Sequence, residues 1–109
     1  MGISLPGSAT IPAVYSRRQG IAFESGKAVM NLLKKDICIK DIITKDAILN
    51  AIKVNSAIGG STNAVLHLLA IAYEADVDLD IFEFGKVSMS VPHMVPMIPA
   101  GQYTLLDFL

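Results

Sequence analysis

Apolar residues recur at helical intervals in four stretches of this chain, separated by glycine, proline and short polar side chains. The opening Leu5-Pro6-Gly7-Ser8-Ala9-Thr10-Ile11-Pro12 is loop chemistry leading into a helix with Pro12 near its first turn. From Ala13 to Lys35, apolar Val14, Ile21, Ala22, Ala28, Val29, Leu32 and Leu33 suit a helical stripe, and Gly20 and Gly26 are the positions where it is expected to kink or break. Ile37 to Ile43 reads as a short apolar connector. Thr44 then supplies an N-cap for a helix over Lys45 to Ile58, with Asp46 in the first turn where the helix dipole favours negative charge, and Gly59 and Gly60 stop it.

Ser61, Thr62 and Asn63 begin the next helix, which is expected to run to about Ala75. Its Ala64, Val65, Leu66, Leu68, Leu69, Ala70, Ile71 and Ala72 leave so little polar face that burial on most sides is predicted. Asp78 or Asp80 can cap a shorter helix through Ile81, Phe82, Phe84 and Val87, weakened in the middle by Gly85. Pro92, Pro96 and Pro99 then preclude a long helix and favour an extended path with room for a short edge strand. Thr104 is positioned to cap a final helix that reaches Leu109 without a stop signal, the pattern expected of a truncated chain.

A chain of 109 residues holds one modest core, yet 52% of its residues are hydrophobic and only 17% charged, with a mean hydropathy of +0.51. Some of that apolar surface is expected to meet a partner. Nine basic residues against ten acidic ones give a net charge of -1 without a run of either sign, which argues against nucleic acid and acidic membranes as partners. Ala64 to Ala72, interrupted by His67, falls well short of the roughly 20 apolar residues that span a bilayer. No basic start followed by an apolar block marks a secretory signal, so a cytoplasmic location is expected. The single Cys38 cannot form an internal disulfide, and in its apolar context it reads as a small core residue.

Gly59-Gly60-Ser61-Thr62-Asn63 is the most informative local feature. Glycines let backbone approach a ligand closely, and free N–H groups and hydroxyls at a helix start can hold an anion; the alternative is a C-cap followed directly by an N-cap. The segment lacks the lysine of a P-loop and does not match GxGxxG, so a nucleotide site is poorly supported. Asn63, His67 and Glu74 fall within about 40 degrees of one another on the following helix and form a narrow polar stripe, which either faces a polar cavity or holds a hydrogen-bonded histidine in the core. His93, between Pro92 and Met94, carries the same two readings. Leu5-Pro6-Gly7-Ser8-Ala9-Thr10 offers a second glycine with flanking hydroxyls, which either lines a site or caps the first helix. Asp76, Asp78 and Asp80 lack the ligand pattern of a calcium loop and read as a solvated turn. Arg17 and Arg18 read as helix surface.

In order and interval, Gly2 to Tyr15, then Asp41-Ile42-Ile43-Thr44, then Gly59-Gly60-Ser61-Thr62-Asn63 with Val65-Leu66-His67-Leu68, resemble the dihydroxy-acid and phosphogluconate dehydratase family. Asp78-Leu79-Asp80, Val91-Pro92-His93 and Pro99-Ala100-Gly101-Gln102-Tyr103 continue the likeness, so it covers essentially the whole chain. Ala9-Thr10-Ile11-Pro12-Ala13-Val14-Tyr15 after Leu5 to Ser8 favours the dihydroxy-acid branch over the phosphogluconate branch, and aldonate dehydratases are closer competitors. Departures are local: Asp76 stands where a glycine is usual, Gly85 sits inside an expected helix, Val95-Pro96 replace a commonly small-polar pair, and Leu106 replaces a usually acidic residue.

The resemblance implies an α/β parent domain of three-layer α/β/α type, with residues 1–109 a single, mainly α-helical segment with short extended stretches inside the larger N-terminal domain. It implies a hydro-lyase that converts 2,3-dihydroxy carboxylates into 2-oxo acids in valine and isoleucine synthesis, using an iron-sulfur cluster and Mg2+ supplied by other parts of the polypeptide. None of the family's cluster cysteines, magnesium ligands or base matches a position here, and Cys38 does not match a cluster position. The expected partners are a small dihydroxy acid, the remainder of the same polypeptide and, at full length, a second copy. Ser4, Pro6, Gly7, Ser8, Gly59, Gly60, Ser61, Thr62, Asn63 and His67 are carried over as an active-site neighbourhood, without individual roles. A reading from a different class is a freestanding helical module that binds an anion at Gly59 to Asn63 and catalyses nothing. The apolar excess predicts that the 109-residue chain, expressed alone, associates or aggregates; a monomer in sedimentation that also unfolds cooperatively contradicts this.

Overall fold

A computed structural model describes residues 1–98, 101–104 and 107. Among the described residues five helices follow one another: α1 (Arg17–Lys34), α2 (Ile39–Ile42), α3 (Lys45–Ala57), α4 (Asn63–Glu74) and α5 (Ile81–Met89). Among the described residues no strand forms, and a lone parallel bridge pairs Met97 with Tyr103. The mainly helical character matches the sequence pattern, as does the non-helical path after α5. Among the described residues no helix is long and apolar enough to cross a membrane. The chain divides into two compact units, Gly2–Ile42 and Met1 together with Ile43–Leu109.

In the first unit the loop is built by local geometry. The Ser8 amide donates to the Leu5 carbonyl (3.1 Å) across a turn with Pro6 and then Gly7 at its corners, and Gly7 takes a φ of +77°. A type II turn requires that conformation at its second corner, where glycine adopts it without a steric cost. Arg18 is exposed, yet it does more than decorate the helix: Nη1 donates to the carbonyls of Ser8 (3.3 Å) and Ile11 (2.9 Å) and ties the loop to α1. Turn bonds from Tyr15 to Pro12 and from Arg18 to Tyr15 delay the helix, so α1 begins at Arg17, several residues after the predicted start.

Neither Gly20 nor Gly26 interrupts α1, since a glycine weakens a helix without having to break it. The predicted apolar stripe is thinner than expected. Ile21, Ala28 and Leu32 are half-buried, no residue of α1 is fully buried, and Val14 stays 90% exposed before the helix. The expected connector contains α2, which starts where the Cys38 amide donates to the Asp41 carboxylate (2.7 Å). Cys38 itself is exposed and not a core residue, because its unit leaves this edge uncovered.

The second unit holds the core. Ile43, Ile48, Ile52, Leu68, Ala72 and Phe84 form one buried cluster, drawn from α3, α4, α5 and the residue before Thr44. Ile48 and Ile52, one helical turn apart on α3, are fully buried. The caps fall where short polar side chains predict them. Thr44 Oγ1 accepts from the Ala47 amide (3.2 Å), and of the two candidates before α5 it is Asp80 whose carboxylate accepts from the Glu83 amide (2.7 Å). Lys45 reaches across to the Asp78 carbonyl and the Glu83 carboxylate, fastening the start of α3 to the start of α5.

Burial of α4 is one-sided, contrary to the expectation of burial on most sides. Leu68 and Ala72 are buried, whereas Leu66 and Tyr73 remain 69% and 81% exposed. The reason is supply: among the described residues the main packing on this helix comes from α3 and α5, on its Leu68 face. Thr104 donates through its amide (2.6 Å) and its hydroxyl (2.8 Å) to the Asp107 carboxylate, a capping contact, and these bonds hold the Asp107 carboxyl below its ordinary range. The rest of the predicted final helix, Leu105, Leu106, Phe108 and Leu109, lies outside the described residues, as do Pro99 and Ala100.

Three helices end in the same way. After α1, α3 and α4 the chain turns into the left-handed region at Asp36 (φ 55°), Gly59 (φ 64°) and Asp76 (φ 57°), and in each the next residue's amide reaches back to the third-last helical carbonyl. These are Schellman endings, which favour glycine because a Cβ crowds the left-handed backbone. The usual family glycine opposite Asp76 is thereby explained. Asp76→Gly is expected to raise stability by about 0.5–1 kcal/mol, read as an upward shift of the urea midpoint. An unchanged or lower midpoint contradicts this reading.

Candidate functional site

The junction between α3 and α4 is the most constructed feature of the second unit. Ile58 caps α3, the Gly59 amide donates to Ser56 (3.2 Å), and the Gly60 amide donates to Asn55 (2.7 Å). Gly60 sits so close to Asn55 that a Cβ there would collide with its side chain. Ser61 turns the chain upward: its hydroxyl accepts from the Asn63 amide (3.2 Å) and its carbonyl from the Ala64 amide (3.0 Å). Thr62, at the N-cap of α4, makes no side-chain cap bond, so its hydroxyl is left uncommitted to the helix end.

The segment after α5 folds back over this junction. Amides of Met94 (2.8 Å) and Val95 (3.2 Å) both donate to the Ala57 carbonyl, which sets the His93 ring directly on Gly59. A Cβ on Gly59 would stand 2.6 Å from His93 Nε2. Two independent constraints therefore favour glycine at this position: the positive φ and the imidazole above it.

Between these elements lies a cleft of about 330 Å³. Asn55, Ser56, Ser61, Thr62, Ser88 and His93 give it a polar rim, over an apolar floor from Val65, Phe84 and Val91. Ser56 Oγ donates to the Ile52 carbonyl (2.8 Å) and lies 2.9 Å from Ser88 Oγ, joining α3 to α5 at one wall. Such a cleft offers hydroxyl and amide groups to a small polar ligand, with an imidazole as its one ionisable side chain.

Of the residues singled out from the sequence, Gly59, Gly60, Ser61 and Thr62 come together here, and Asn63 opens the helix behind them. His67 does not join them. With Asn63 and Glu74 it lies on the exposed side of α4, because the intervals that align these three also set them away from Leu68 and Ala72. The histidine of the cleft is His93, neither a core residue nor detectable by local spacing, since its position depends on a long-range bond to Ala57. Asn55, Ser56 and Ser88 were missed: each is a polar position inside a helix, with no sequence signal beyond its face.

Ser4, Pro6, Gly7 and Ser8 belong to the first unit. Ser4 lines a mainly apolar groove of about 460 Å³ beside Ile3, Leu5 and the α1 residues Ala28 and Leu32, whereas Pro6, Gly7 and Ser8 shape the turn. Among the described residues no group of three or more His, Cys, Asp or Glu side chains converges to hold a metal ion. The described residues of this chain thus do not by themselves fit an iron-sulfur cluster or a Mg2+ site. Asp78 and Asp80 serve Lys45 and the α5 cap.

The whole chain, residues 1–109, matches the family described as dihydroxy-acid/6-phosphogluconate dehydratase N-terminal, and it belongs to that family. It is similar to the dihydroxy-acid dehydratases of Acidothermus cellulolyticus (54% identical over 107 residues), Mycobacterium leprae (51% over 107) and the more distant Methanoregula boonei (49% over 105). These alignments cover 96–98% of this chain and 19% of each relative, so the chain spans about a fifth of the length of the relatives it matches.

Gly59→Ala is expected to lower stability by more than the roughly 1–2 kcal/mol that a left-handed alanine costs, because the methyl group also meets His93. In a His93→Ala background the loss should shrink toward the backbone cost alone, measured by urea unfolding of all four variants. Equal losses in both backgrounds contradict the packing of His93 on Gly59.

Proposed function

We propose that this chain is an interior segment of the N-terminal domain of a dihydroxy-acid dehydratase, and that the α3–α4 junction borders the active site. The observation that carries this reading is the 49–54% identity, across nearly the whole chain, to proteins bearing that name. The reaction removes the C2 proton and the C3 hydroxyl of a 2,3-dihydroxy carboxylate, and the resulting enol becomes a 2-oxo acid. Products of this kind feed branched-chain amino-acid synthesis.

On this reading the parent domain is a three-layer α/β/α structure, and other stretches of the polypeptide hold an iron-sulfur cluster and Mg2+. The cluster would supply a Lewis acid for the departing hydroxyl. The part played by this chain is positional. Hydroxyls of Ser61 and Thr62 and the backbone at Gly60 offer hydrogen bonds to a small hydroxylated acid, and Gly59 lets the backbone turn tightly enough to present them. A cytoplasmic, homo-oligomeric enzyme completes the proposal.

Anaerobic expression of the complete open reading frame with iron and magnesium tests it: 2-oxo acid should form from 2,3-dihydroxyisovalerate. Activity on an aldonate or on 6-phosphogluconate instead would replace the substrate, and no dehydratase activity on any of them would favour the non-catalytic module. Thr62→Val in the active enzyme should lower kcat/KM by about threefold to tenfold, the worth of one neutral hydrogen bond, with an unchanged thermal midpoint. Unchanged kinetics would remove Thr62 from the site.

A further inference from the structure

α5 is apolar on two faces. Phe84 and Val87 turn toward the core, while Ile81, Phe82 and Met89 stand 58%, 79% and 83% exposed. At about 100 degrees per residue, those three share one side of the helix with Gly85 at its centre. Apart from α5's own backbone and the two flanking residues, no described residue of this chain lies within 4 Å of where a Gly85 side chain would begin. A glycine weakens a helix relative to almost any other residue, and neither a positive φ nor a neighbour in this chain requires it here. A helix with apolar residues on both sides and a notch on the outer one is suited to packing between two layers, with the second backbone approaching closely at the notch.

We propose that the Ile81–Phe82–Gly85–Met89 face of α5 is the seat of a helix from the same polypeptide, outside residues 1–109, packed against the Gly85 notch. The length of the relatives supports that occupant over a second copy, since about four fifths of each lies beyond the segment matched here. The distribution of the uncovered surface supports it too. α4 carries its own exposed stripe at Leu66, Ala70 and Tyr73, on the side away from Leu68 and Ala72. A two-fold contact between copies buries one self-complementary patch, whereas a chain several times longer can cover faces on both helices.

The sign of a stability change tests the notch in the full-length protein. On an open face Gly85→Leu raises the thermal midpoint through helix propensity alone; against a seated helix it lowers the midpoint by several degrees, and that fall is expected. A rise or no change overturns the proposal. Independently, p-benzoylphenylalanine in place of Phe82 is photolysed and the adduct mapped by mass spectrometry, which keeps the test open if Gly85→Leu fails to fold. The expected product migrates at monomer mass on a denaturing gel, joined to a peptide outside residues 1–109. Migration at twice the monomer mass, attachment within residues 1–109 or no adduct overturns it. Neither readout depends on the substrate of the enzyme.

Discussion

The reversal of the chain between α3 and α4 depends on one backbone angle, the φ of +64° at Gly59. That angle closes the end of α3 by returning two amides to Asn55 and Ser56, and it lets α4 start within a few residues. The return brings Leu68 and Ala72 against Ile48 and Ile52, so the core of the second unit is a consequence of the turn as much as of hydrophobicity. The same angle leaves room for His93, and with it the polar rim of the cleft. A left-handed glycine under an imidazole ring joins fold and site in one place.

Features governed by neighbours in sequence were legible without a structure. Thr44 and Asp80 announce their helices because a short polar side chain can satisfy an amide only three residues on. Gly59 and Gly60 end α3 one residue from the predicted position, since a Schellman ending is a local pattern. Features decided at long range were not legible. The start of α1 was displaced by turn bonds around Pro12 and Tyr15, and the docking of His93 rests on Ala57, thirty-odd residues earlier. The surroundings of His67 were not legible for another reason: three polar residues on one helical face say that a face exists, but not whether it meets a cavity or water.

Uncovered apolar surface is the other theme. α1 buries none of its residues completely, α4 buries one side, and α5 exposes a phenylalanine and a methionine on its outer face. A chain that spans about a fifth of its relatives' length has few neighbours of its own with which to cover these faces. Burial of α4 on most sides, predicted from its composition, would suit a helix inside the larger body proposed for this segment. The residues encode more packing than this segment can supply.

The central claim is that the glycine turn presents Gly60, Ser61 and Thr62 to a small hydroxylated acid. A crystal structure of the full-length protein with a 2,3-dihydroxy acid or a stable 2-hydroxy acid bound measures this directly. The account predicts at least one of the Gly60 carbonyl, Ser61 hydroxyl and Thr62 hydroxyl within about 3 Å of a ligand oxygen, or joined to it through a single water. A bound acid surrounded by residues from elsewhere, with this turn separated from it by other protein, would contradict the account.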